Sequence, residues 1–546
     1  MLGAGVGLVA LASVLLGCPV PASASTHQVS IIQDSAAVMN DPGSTLSTFR
    51  DLGAGVVRVI VDWAQVAPAA RSRTAPAGFD AADPADYPAA NWAPYDQIVR
   101  LATAEDMQVD FTLSGGAPRW AEGPGIPQAA LGNPFWAWRP SAADFGQFAR
   151  AVGERYSGTY VPAGQTTALP RVSFWAIWNE PNFGEDLGPQ AVDGSTIATG
   201  PMMYRKLVSQ TWNALAATGH GGDTILVGEL APWGLSAHGT ARRPQGLPGQ
   251  FGQTKPLRFL RTLYCVDSAY RPLRGAAATA VGCPASASGS RAFRLTNPGL
   301  FEATGLADHP YPHNQPPTIE TSSDPDIAPF PRLPNLEGVI DRLQRAYGSR
   351  RRLPIYNTEY GYITSPPGHG PAYVSPATAA YYLNWAEYLS WRNPRIASTM
   401  QYLLYDPPPV PKALGGGGFA SGLVFSSGRP KATYAAYRLP VYLPVTSAPR
   451  SRSLQVWGCL RPARYAILDT GQAQTATIEF ARGSTGAYSP VASVTVADPT
   501  NCYFDLRVRF PGSGTVRLAY TYPAGDPLLG PSGTTVYSRT VAISVP

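Results

Sequence analysis

Two glutamates carry the chemistry for which this sequence can be read. The first lies in Phe174-Trp175-Ala176-Ile177-Trp178-Asn179-Glu180-Pro181-Asn182, where an apolar run stops at a carboxylate held between an amide and a proline. Aromatic and β-branched residues suit a packed, pleated surface, so 172–178 reads as a buried strand. Pro181 ends it, because its ring fixes φ and removes a backbone donor. Alone, an Asn-Glu pair before proline is an ordinary turn. A second stretch of the same design, Leu353 to Gly361, also runs from apolar residues into a glutamate among aromatics, Glu359. Two glutamates at the carboxyl ends of two buried strands can flank an oxocarbenium-like centre, one as proton donor and the other as nucleophile or base.

The elements that must position this pair follow from the alternation of apolar strands and amphipathic helices from Val29 onward. Strands are predicted near 28–34, 56–62, 108–114, 172–178, 224–230, 305–309, 353–359 and 396–404. Helices are expected near 43–53, 93–106, 141–156, 202–218, 254–264, 335–347, 376–391 and 430–437. Ser141-Ala142-Ala143-Asp144 ahead of Phe145, Phe148 and Val152 is a capped helix start followed by an apolar stripe. Eight such units predict a closed (β/α)8 TIM barrel over an open doubly wound sheet. The first strand is followed by no Gly-x-Gly-x-x-Gly, so no dinucleotide cofactor is expected. Strand-to-helix connections are long, at 63–92, 115–140, 183–201, 231–253, 310–334 and 405–429. Helix-to-strand connections are mostly short, 157–171 being the exception. The insertions therefore crowd the face to which Glu180 and Glu359 point, where such barrels build their sites.

With Trp178-Asn179-Glu180-Pro181 ending a fourth strand and Asn357-Thr358-Glu359-Tyr360-Gly361 ending a seventh, residues 28–440 resemble the clan A glycoside hydrolases. Within that clan of retaining (β/α)8 enzymes the likeness is to the cellulase-type families 5 and 39. The resemblance implies that Glu180 is the acid/base, Glu359 the nucleophile, and Asn179 a hydrogen-bond partner of the sugar 2-hydroxyl. His309-Pro310-Tyr311 resembles the clan's His and Tyr beside the nucleophile, with Tyr311 donating to Glu359 and His309 lining the subsite. Arg58 stands on the second strand, where the clan often keeps an arginine near the nucleophile. The clan's usual tryptophan at the end of the eighth strand is missing from Gln401 to Asp406, and Tyr402 or Tyr405 is expected in its place. Trp120, soon after the third strand, is the expected sugar platform, since the apolar faces of sugars stack on aromatic rings. Asn357, two residues before Glu359, is expected on the same side by strand periodicity.

At 546 residues the chain exceeds one core. Its 42 basic and 36 acidic residues are scattered, so the net charge of +6 reads as a solvated surface and no nucleic-acid partner is expected. No apolar run reaches membrane-spanning length. Residues 1–26 read as an export signal, with an apolar run from Gly3 to Leu16 and small residues at Pro21-Ala22-Ser23-Ala24. Leu15-Leu16-Gly17-Cys18 also resembles a lipobox, which would place a lipid anchor at Cys18. Either reading exports the protein, as secreted or as a cell-surface lipoprotein. The remaining cysteines predict two local disulfides, Cys265–Cys283 and Cys459–Cys502, as befits an oxidising compartment. Their spacing matches no zinc signature, and no metal is expected. Gly415 to Gly418 lacks a following Lys-Ser/Thr, so it is a loop and not a phosphate cradle.

The catalytic barrel is expected over 27–445. Residues 446–546 change character: helical periodicity vanishes, and short strands near 453–458, 475–481, 491–497, 503–509, 514–521 and 535–544 predict a small all-β sandwich. The segment Gly512 to Tyr520 looks like an immunoglobulin-type closing hairpin, and with no row of exposed aromatics the domain is expected to buttress the barrel. The expectation is a secreted, monomeric, retaining glycoside hydrolase cleaving O-glycosidic bonds of a poly- or oligosaccharide, without cofactor. The alternative is a non-catalytic carbohydrate-binding or cell-surface structural protein on the same barrel.

Overall fold

Eight short parallel strands form the centre of the molecule in the computed structural model: β1 (Val29–Gln33), β2 (Val56–Asp62), β3 (Gln108–Ser114), β4 (Phe174–Ile177), β5 (Thr224–Leu230), β6 (Gly305–Asp308), β7 (Ile355–Asn357) and β8 (Ser398–Tyr402). The structure describes residues 25, 27–127, 136–191, 197–235, 252–368, 373–408, 418–483, 486–525 and 530–546. The leader, Cys18 and most of the Gly415–Gly418 run lie outside the described residues.

The strand order β7-β6-β5-β4-β3-β2-β1-β8 is that of a barrel. It closes where Ala397 N donates to Ile355 O and Ile355 N to Arg395 O, both at 2.8 Å. The fold is a (β/α)8 barrel, and all eight strands fall where the hydrophobic pattern predicts them. Their Val, Ile and aromatic content follows from burial on both faces.

Register explains which residues point inward. Arg58 pairs with Asp110, and Asp110 with Phe174. The ring of Phe174 meets that of Tyr356 at 5.8 Å. This row therefore lies inside the barrel, and Arg58 with it. The outer faces pack on helices such as Ala142–Arg155, whose start is capped by Ser141 Oγ accepting from Asp144 N.

Several elements were not legible beforehand. Three short helices, Gly275–Ala280, Ala287–Thr296 and Pro298–Glu302, occupy the connection to β6, too short and too mixed in pattern to show a periodicity. Both expected disulfides form.

Beyond the barrel, β9 (Val441–Tyr442), β10 (Leu454–Cys459) and β13 (Tyr503–Val508) form one antiparallel sheet. The strands β11 (Gln474–Arg482), β12 (Ser489–Val496), β14 (Gly514–Thr521), β15 (Thr535–Tyr537) and β16 (Val541–Ile543) form the other, and the two enclose a second core. This is the expected sandwich, with three differences. Leu439, Val441 and Leu443 already belong to the second core, ahead of position 446. The strand expected at 535–544 breaks into β15 and β16, which pair with opposite ends of β14. The segment expected as a closing hairpin does not fold back on the strand before it: β13 and β14 lie in different sheets, and β14 instead pairs antiparallel with β11 and with the strand that follows, β15.

A helix, Ala463–Thr470, also interrupts the β region where none was expected. It docks on the barrel. Tyr465 donates to Ala54 O at 2.5 Å, and Arg50 pairs with Asp469 at 2.5 Å. The backbones meet so closely at Gly53 that a Cβ there would stand 2.3 Å from Arg461 O. That contact, rather than local pattern, decides the helix.

Candidate active site

The ends of β2, β4, β5, β6 and β7 converge on one cluster of charged side chains. Trp178 and Glu180, beyond β4, take left-handed backbone conformations (φ 67° and 37°), unusual for non-glycine residues and a sign of a conformation held by its surroundings. Asn179 N donates to Ser114 Oγ at 2.9 Å, which ties this turn to β3. Arg58 lies fully buried beneath. Its Nη1 donates to Glu359 Oε1 at 2.6 Å and to Gln33 Oε1, and its Nη2 to Asn179 Oδ1 at 2.9 Å and Glu229 Oε2 at 2.5 Å. One guanidinium thus ties together the ends of four strands, β1, β4, β5 and β7, as its fork of donors permits.

His309 is also fully buried, with Nδ1 at 2.9 Å from Glu180 Oε1 and Nε2 at 2.9 Å from Glu229 Oε2. Its Nδ1 stands 3.7 Å from Glu359 Oε2. Burial disfavours the imidazolium, but Glu359, Glu180 and Glu229 outweigh it and raise the ring to about 10. Tyr311 donates to Glu359 Oε2 at 3.0 Å, and burial followed by the charge of Glu359 keeps the phenol far above its ordinary range, so it remains a donor. One oxygen each of Glu180 and Glu359 and one nitrogen of His309 lie within 4.8 Å of one another.

Above the cluster opens a cavity of about 470 Å³, lined by Asn179, Glu180, Glu359, Tyr311 and Tyr402 together with a wall of Trp233, His313, Tyr373 and Phe419. Trp233 and His313 stack at 4.3 Å, and Phe419 meets Tyr311 at 5.2 Å and Tyr402 at 5.4 Å.

Of the residues singled out beforehand, Glu180, Glu359, Asn179, His309, Tyr311, Arg58 and Tyr402 come together here. Trp120 does not line the cavity. Its Nε1 donates to Pro68 O at 3.1 Å, and its ring packs on Trp63 and Phe79 as part of the loop's own core. Asn357 faces the helix side of the sheet beside Glu387 and Thr399, because the chain turns out of strand geometry between it and Glu359.

Glu229 was missed. It sits on β5 in Val227-Gly228-Glu229-Leu230, which reads as a buried apolar strand with one stray charge. A shift of register against β6 between Val227 and Leu230, with φ of 117° at Gly228 and 51° at Glu229, turns it inward. The only signal was a glycine within an apolar run. Burial pushes its carboxyl up, but Arg58 and then His309 outweigh this and hold it below the ordinary range. Asp186 was also missed: its Oδ1 accepts from Asn179 Nδ2 at 3.3 Å, and burial followed by the charge of Glu180 holds it well above the usual carboxylate range.

No family profile and no curated protein sequence matches the chain. Among solved structures it is similar to a family 39 glycoside hydrolase from the gut symbiont Bacteroides cellulosilyticus, at 15% identity over 88% of this chain and 80% of that one, with a TM-score of 0.45. A glucosidase from Croceicoccus marinus is similar at 11% identity, over 96% and 93% of the two chains, with a TM-score of 0.43. An endo-β-1,4-mannanase from Thermotoga petrophila is similar at 10% identity over 96% and 98%, with a TM-score of 0.39. At these values the likenesses concern architecture, and the chemistry rests on the site's own geometry.

Proposed function

We propose that this protein is a retaining glycoside hydrolase of the clan A type, exported from the cell and acting on a poly- or oligosaccharide. The observation that carries the reading is the approach of Glu180 and Glu359, with carboxylate oxygens within 4.8 Å at the floor of an aromatic-walled cavity. So close an approach of oxygens is in keeping with the roughly 5–5.5 Å between carboxyl groups of retaining enzymes.

Glu359, fixed by Arg58 and Tyr311, attacks the anomeric carbon. Glu180 protonates the leaving oxygen and then takes a proton from the water that releases the glycosyl-enzyme. Asn179, held by Arg58 and Asp186, presents its amide beside Glu180 for a sugar hydroxyl. Arg58 and Tyr311 leave the nucleophile little rotational freedom, which contributes as positioning. The two disulfides support export.

The test is hydrolysis of a panel of oligosaccharides and aryl glycosides, with the anomer formed first read by NMR. Release of the retained anomer supports the reading. Inversion, or turnover undiminished in Glu359→Gln, sinks it.

A further inference from the structure

Resting on that reading, we propose that His309 stores the proton that Glu180 delivers, and that Glu229 is the positioning residue that holds it there. Both ring nitrogens of His309 face carboxylate oxygens at 2.9 Å, and the ring is sealed from solvent. A neutral imidazole has one N–H and cannot donate to both, whereas an imidazolium can. Glu229 is committed as an acceptor, since the oxygen facing Nε2 also accepts from Arg58 Nη2. The Nε2 proton is therefore pinned, and the Nδ1 proton, directed at Glu180 Oε1, is the one free to move.

The backbone spends strain on this placement: Gly228 and Glu229 both leave ordinary strand conformations at the shift of register, and Glu229 does not line the cavity. Its use is thus through His309 and Arg58 and not through substrate. The other charges about the ring are Glu359 at 3.7 Å, Arg58 beyond Glu229, Asp308 beside it on β6, and Asp186 beyond Asn179. The three glutamates hold the imidazolium against the cost of burial, raising it to about 10.

In glycosylation the bond from Glu359 to the anomeric carbon forms as the glycosidic C–O bond breaks, and the bonding pair stays on the leaving oxygen. Net, one proton passes from Nδ1 through the carboxyl of Glu180 to that oxygen, leaving a neutral ring with its Nε2–H on Glu229. In deglycosylation water bonds to the anomeric carbon, Glu359 departs as carboxylate, and the water's proton returns through Glu180 to Nδ1.

The experiment combines nitrogen-15 NMR of the six histidines, with His309 assigned by a His309→Asn variant, and kinetics of Glu229→Gln. Wild type at about pH 8 should show His309 with both nitrogens protonated, whereas Glu229→Gln should show a neutral ring protonated at Nε2. Losing a general acid's proton supply should slow Glu229→Gln at least roughly tenfold more on glycosides with basic leaving groups than on dinitrophenyl glycosides, which need no proton. The alkaline limb of its pH profile should move down by about one unit or more. Equal slowing on both substrates with an unmoved limb marks a merely structural glutamate and overturns the proposal. A neutral His309 in active wild type overturns it alone, and does so even if Glu229→Gln does not fold. A wild type that cleaves no glycoside fails the reading beneath it instead.

Discussion

Two buried arginines, Arg58 and Arg461, show what separates the working end of this barrel from its supporting end. Arg461 occupies the seam with the sandwich. Its Nη2 donates to both oxygens of Glu387 at 2.7 and 2.8 Å, its Nη1 to Ser30 Oγ at 2.9 Å, and its Nε to Tyr437 O at 2.8 Å. Every donor group is used, one carboxylate answers one guanidinium, and the space beside it is about 30 Å³, room for a single water. Arg58 faces Glu229 and Glu359 at once, with its Nε unpartnered and a cavity of about 470 Å³ above. A balanced, closed ion pair holds parts together. At the other end three carboxylates share Arg58 and His309 beneath an open cavity. The barrel places the first at its amino end and the second at its carboxyl end, where loop insertions build the wall.

The largest expected effect is on the working end. Glu359→Gln should lower kcat by roughly 10⁴-fold or more with circular dichroism unchanged, because the neutral amide cannot form the glycosyl bond. Glu180→Gln should cost roughly 10²–10⁴-fold on glycosides with basic leaving groups and far less on activated ones. At the supporting end Glu387→Ala should do the reverse. Leaving Arg461 buried and unpaired should destabilise the fold by about 3–5 kcal/mol in denaturant titration, while kcat/KM of the folded fraction stays within about twofold. A comparable loss of activity would erase the distinction between the two arginines.

The same contrast extends to pH. His309 is raised from 6.5 unfolded to about 10 folded, so the stability it contributes is fully present below about 6.5 and lost as pH rises towards 10. Thermal melts of wild type should fall across that window, and those of His309→Asn should be flatter. The smallest effects distinguish two tryptophans. Trp233→Ala should raise KM about tenfold with kcat nearly kept, since the ring borders the cavity. Trp120→Ala should instead cost about 2–3 kcal/mol of stability with KM unmoved, since the ring packs against Trp63 and Phe79.

Local pattern was enough to read the barrel strands and the two glutamates at their ends. An apolar run stopped by Asn-Glu-Pro declares both a strand and where its last side chain lies, whatever surrounds it. Glu229 was invisible for the opposite reason. A lone acid in Thr224-Ile225-Leu226-Val227-Gly228-Glu229-Leu230 has no partner within reach of its own segment, and only the register shift against β6 turns it to Arg58 and His309. Trp120 fails because proximity to a strand end in sequence does not say which wall a side chain joins, and Asn357 because strand periodicity stops at the end of β7 and does not carry on to Glu359.

The chain by itself determined that eight strands alternate with helices, that the insertions crowd one end, and that two carboxylates stand there, because periodicity and chain punctuation are properties of neighbours. Tertiary structure alone decided which charges share a guanidinium, which carboxylates flank His309, which rings wall the cavity, and that a helix at 463–470 fits against Gly53. Those depend on groups that folding brings together from distant segments, and their energies exist only once water has been excluded between them.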